Sequence, residues 1–180
     1  MPLLLKDATK FALRGQKRQR SEDDKSTAVY PVYINDSSYD FQLVPSGSVD
    51  IRALMDPLAI GEGRYSMCMG ITEDLHNELL KVESGCSDIL SEKHPKSFWQ
   101  SALRPPVDDY GASIRVKFYD DVQVYDENGE KIKAPKSWRN VRVVPILSIK
   151  AWANETSAGL RWNILAVKIA KPEPRAFTFV

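Results

Sequence analysis

Four tryptophans fall in the second half of the chain, and each has a cation close by. Lys96 precedes Trp99, Lys136 and Arg139 flank Trp138, Lys150 precedes Trp152, and Arg161 precedes Trp162. Flat rings can stack on unstacked bases while cations meet phosphates, so the pairing suits sequence-tolerant capture of a single nucleic-acid strand. The expected phosphate contacts are Lys117, Lys136, Arg139, Arg142, Lys150 and Arg161. Trp138 and Trp152 are the expected stacking rings, with Tyr119 or Tyr125 beside them. Trp138, in the run Pro135-Lys136-Ser137-Trp138-Arg139-Asn140, is the one expected to be most open. Trp162 shares a strand face with Leu160 and Ile164 and reads as core.

Other chemistries have less to stand on. His76 and His94 have no plausible nucleophile beside them, and there is no Gly-rich phosphate loop, GxSxG or HExxH. Asp108-Asp109 and Asp120-Asp121 are the only hints of a metal-dependent nuclease, and adjacent carboxylates on a strand point to opposite faces. No cofactor or metal is expected, and the chain reads as a non-enzyme. Cys68 and Cys86 lie in no CxxC and near no suitably spaced histidine, which points to a reduced, intracellular compartment. No apolar run reaches the roughly 20 residues of a membrane helix, so no membrane partner is expected.

The net charge of +1 conceals segregation. Residues 1–20 carry six basic residues and one acidic; residues 21–95 carry five and fourteen; residues 96–180 carry fourteen and nine. A basic, β-rich end on a near-neutral chain fits a polyanion partner.

The elements that must position these side chains are mostly strands. Ile114, Val116 and Phe118 share one face and Arg115 and Lys117 the other. Asn128-Gly129 marks a hairpin turn. Val141–Trp152 and Leu160–Ile169 form two long runs around the polar turn 154–159. Val29–Ile34 and Tyr39–Val44 read as a hairpin joined at 35–38, with Pro31 demanding an edge or a bulge. Thr72 caps a helix whose Leu75, Leu79 and Val82 share a face, and Gly85 is expected to end or bend it. The basic cluster 14–20 reads as a solvated loop, with phosphate binding or a nuclear-localisation signal as the alternatives, and 96–106 reads as a connection. The expected organisation is a basic N-terminal segment 1–26, partly mobile, one domain over 27–171 with an acidic helical insert at about 72–92, and a tail at 172–180.

From about Phe98 to Ile169, the order of strands and loops resembles the single-stranded-DNA-binding proteins of large nucleocytoplasmic DNA viruses, themselves similar to the podophage type. The resemblance rests on Tyr125-Asp126, Gly129, Val143-Val144-Pro145, Trp152 and Gly159. It implies a mainly β (α+β) fold, an OB-fold-like β-barrel with the acidic helical insert. It also implies binding of single-stranded DNA during replication, recombination or repair, encoded by a virus or mobile element. RNA, replication proteins and a second copy of the chain stay open as partners. The podophage type ends in an acidic tail, whereas this chain ends with Arg175, Phe177, Phe179 and Val180. A β-sandwich structural or assembly protein of a virion is the alternative.

Overall fold

The computed structural model describes residues 3–15, 17–20, 26–37, 42–45 and 51–170. The tail expected at 172–180 lies outside them. The architecture is mainly β with one long helix. At its centre is the hairpin of Val143–Ala153 and Ser157–Ile169, whose turn is set by Asn154 Oδ1 accepting from the Thr156 and Ser157 amides. Inward positions of Val143–Ala153 alternate strictly with outward ones, and Val143, Leu147, Ile149, Ala151 and Ala153 enter the core. The register slips between Ile146 and Leu147, which leaves Leu165 opposite no residue. Such a bulge sharpens the local twist.

Sheet order runs from Leu3–Leu4 through Gln42–Val44, Val143–Ala153, Ser157–Ile169, Ser113–Tyr119 and Arg64–Gly70 to Arg52–Ala53. The far end then returns. The Ala53 amide donates to Val141 O, Asn140 N to Ala53 O, and Val143 N to Ile51 O. These bonds tie the outermost strand of that path to the chain entering the central hairpin.

The helix Glu73–Lys93 packs over this sheet and against Phe11–Leu13. Thr72 caps it, its Oγ1 accepting from Leu75 N, and Leu75, Leu79, Val82, Cys86 and Leu90 form the buried stripe. The helix runs through Gly85 without ending. The glycine serves a close approach instead, because a Cβ there would collide with the Phe11 ring. At the helix end, His94 Nε2 and the Tyr30 hydroxyl share a hydrogen bond of 2.7 Å.

Three other expectations change. Among the described residues the hairpin expected across 35–38 is not seen: Ser26–Ile34 and Gln42–Val44 both pair with Val143–Ala153 instead, and 38–41 lie outside the described residues. Asn35 serves the N-terminal segment, its Oδ1 accepting from Thr9 N and Lys10 N and its amide donating to Asp7 O. The cluster 14–20 contributes a strand, Lys17–Arg20, paired with Ser26–Val29. Phe11–Leu13 takes Val32–Ile34, so Pro31 falls in the gap between two outer partners, where its missing N–H costs no ladder bond. Finally, the connection at 96–106 contains two short strands, Phe98–Gln100 beside Ser157–Gly159 and Leu103–Arg104 beside Ser113–Ile114.

Candidate nucleic-acid interface

The Ser113–Tyr119 strand buries Ile114, Val116 and Phe118 and turns Ser113, Arg115, Lys117 and Tyr119 outward. On the central hairpin Lys150 and Arg161 stand directly opposite one another, as do Trp152 and Gly159. Of these residues Arg115, Lys117, Trp152 and Arg161 line a groove of about 370 Å³, and Lys150 stands beside it, opposite Arg161. Thr27, Gln100 and Asn154 supply a polar rim.

The groove concentrates positive charge. Burial pushes the Lys117 ammonium below its ordinary pKa of 10.5, and the charges of Arg161, Arg64 and Arg115 push it further the same way. A half-buried cation among three guanidiniums gains most when an anion arrives. Asn163, paired with Lys117 across the strands, is buried, and its Oδ1 has no hydrogen-bond partner among the described residues.

The ring of Trp152 lies over Gly159. A Cβ on that glycine would stand 3.3 Å from the indole nitrogen and 2.6 Å from the backbone oxygen of Gln100. The groove wall carrying Gln100 is held by the helix. Glu83, 1% exposed, accepts from Ser101 Oγ and, at 3.1 Å, from the Ala102 amide, with the Trp99 indole at 3.5 Å. The acidic helix therefore sends one buried carboxylate to fix the position of the basic groove's edge. Beside it, burial and then the Glu83 charge push the Cys86 thiol up to about 12, which keeps it protonated and unreactive.

The structure thus brings together Lys117, Lys150, Trp152 and Arg161, with Tyr119 two residues beyond Lys117 on the same face and opposite Arg64. It does not bring in the Trp138 loop. Trp138 was expected to be open and is 7% exposed. Asp56 Oδ1 accepts from the Trp138 amide at 2.7 Å and from the Ser137 hydroxyl at 2.8 Å, and the indole packs near Phe118. Lys136 and Arg139 are exposed on that same loop, with no accessible ring between them. Arg142 is half-buried and bridges to Arg52. Tyr125 is half-buried, pairs with Lys168, and gives its hydroxyl to Gln123. Sequence reading passed over Arg64, Arg115 and Gln100. The alternation that places Arg115 beside Lys117 was the signal for one of them; nothing local marks the other two.

No family model matches the sequence, and no curated protein matches it. Solved structures do match, and they define a class: the fold is mainly β and OB-fold-like, with one long helix. Among them is the C-terminally truncated single-stranded DNA-binding protein from bacteriophage Enc34. Its TM-score is 0.50 at 14% identity, covering 89% of this chain and 98% of that one. The single-stranded DNA binding protein gp2.5 encoded by bacteriophage T7 gives 0.48 at 12% identity, covering 75% and 99%. At these identities the likeness is one of fold.

Proposed function

We propose that this chain binds single-stranded DNA without regard to sequence, through the groove of Arg115, Lys117, Lys150, Trp152 and Arg161. The observation that carries this reading is the convergence of four cations from three strands around one accessible indole. Sequence-tolerant binding needs that combination: charge to follow a backbone and a ring to hold a base. The fold shared with the bacteriophage Enc34 protein supports it. The binding would serve replication, recombination or repair of a viral or mobile element. No catalytic group enters the reading.

The test is a titration of tryptophan fluorescence with oligothymidine. Saturable quenching is expected, and Trp152→Ala should abolish most of it. Four phosphates neutralised on a single strand predict an affinity loss of about 50-fold between 50 and 200 mM salt. Quenching that survives in Trp152→Ala, or binding indifferent to salt, overturns the assignment.

A further inference from the structure

A second pocket, of about 760 Å³, opens on the same sheet face at the other end of the Ser113–Tyr119 strand. Its floor is a row of paired residues running across four strands. Arg104 lies opposite Ser113, Ser113 opposite Gly70, and Gly70 opposite Arg52. Two residues with little or no side chain thus separate two arginines, three strand spacings or roughly 14 Å apart. Leu54 lies over Gly70, where a Cβ would stand 2.9 Å from Leu54 Cδ2. The far wall is the turn 107–110. Val107 and Tyr110 exchange both backbone hydrogen bonds, at 2.9 and 3.0 Å. This turn holds the Tyr110 ring at the pocket mouth with 80% of its surface exposed.

The pocket and the Trp152 groove adjoin along one strand. Ser113, Arg115 and Lys117 are successive outward positions of one strand; the first lines the pocket and the other two line the groove. Cys68, which lines the pocket, is the cross-strand partner of Arg115.

We propose that the single strand bound in the Trp152 groove continues along this face and places a further base in the pocket, against Tyr110 and Leu54. Arg104 meets the adjoining phosphate. The pocket volume falls in the range of small-ligand sites, about 300–1,000 Å³. Asp109 also lines it, and a carboxylate repels phosphate, so a base enters while the backbone stays on the arginine side. The inference rests on the groove reading and extends it to a second subsite.

The experiment compares two oligothymidines, the shortest that Trp152→Ala weakens and one about 12 nucleotides long, within the span of a single OB fold. Tyr110→Ala should weaken the long oligomer about tenfold and leave the short one unchanged. Tyr110→Phe should bind both as the unaltered protein does, because stacking needs the ring and not the hydroxyl. Arg104→Ala should weaken only the long oligomer and flatten its salt dependence. Both side chains are exposed, so melting temperatures should not move. Equal long-oligomer affinity for Tyr110→Ala and the unaltered protein overturns the second pocket and leaves the groove standing. Equal losses at both lengths also overturn it, by placing Tyr110 in the primary site. If no length shows Trp152-dependent binding, the groove reading fails and the pocket falls with it.

Discussion

Trp138 and Trp152 share one local signal, an indole within two residues of a lysine or arginine, yet the fold uses them in opposite ways. Trp138 is drawn inward by a carboxylate far away in the chain, Asp56, which accepts its amide and the hydroxyl of Ser137. The cations around it, Lys136 and Arg139, are left outside on a loop whose ring is buried. Trp152 sits on a strand whose outward face also bears Lys150, opposite Arg161, and its ring meets a glycine instead of a core. An aromatic next to cations is thus a weak signal alone. What decides its role is whether a distant residue ties down the backbone at that point, and which face of the strand carries the cations.

The contrast is sharpest under truncation. Trp138→Ala should cost about 3–5 kcal/mol of stability, as loss of a large buried aromatic does, and leave the oligothymidine affinity of the folded protein unchanged. Urea unfolding and binding, measured on one preparation, separate the two effects. A variant that kept its stability and lost binding would reverse the roles given to the two rings.

Trp152→Ala should do the opposite, weakening binding by on the order of 1–3 kcal/mol with a small change in unfolding midpoint. Next comes Lys117→Met, which should weaken binding and stabilise the fold together. The folded-state pKa of Lys117 lies below 10.5, so its charged form carries a penalty at neutral pH that is relieved as pH rises through the folded value towards the unfolded one. The stability advantage of the variant should therefore shrink in the alkaline window just below 10.5. An unchanged advantage across that window would mean that the crowding of charge around Lys117 is not felt.

The smallest effect is at Asp56. The Trp138 amide, then the Ser137 hydroxyl, hold its pKa below the ordinary 3.8. Asp56→Asn should lose the stabilisation that this gives above that value. The difference between the two proteins should vanish as pH falls through the folded-state pKa. A gap that persists in acid would assign the anchor to geometry instead of charge.

Much of the scaffold could be read from local pattern. Thr72 with Leu75, Leu79 and Val82 marked the helix, Asp126–Gly129 marked a turn, and alternation marked the central hairpin. Those signals are local because capping and two-residue turns are decided within a few residues. The groove was legible in part, through Lys117, Lys150, Trp152 and Arg161, since outward positions follow from alternation once a strand is recognised. What failed was set from a distance. Asn35 looked like a hairpin turn and instead binds the segment around Asp7 and Thr9. Gly85 looked like a helix breaker and instead makes room for Phe11. Arg64 comes near enough to Lys117 to lower its pKa only because its strand pairs antiparallel with Ser113–Tyr119.

Gly159 carries a consequence for ancestry. Its space is closed by a backbone oxygen of Gln100 on one side and by the Trp152 indole on the other, and a backbone atom does not move aside as a flexible side-chain tip does. Descent with this groove intact leaves that position an alphabet of one letter. Drift can exchange one stacking ring for another and arginine for lysine along the walls. Relatives too diverged to share their aromatics are therefore better traced by the residue beneath the ring than by the ring itself.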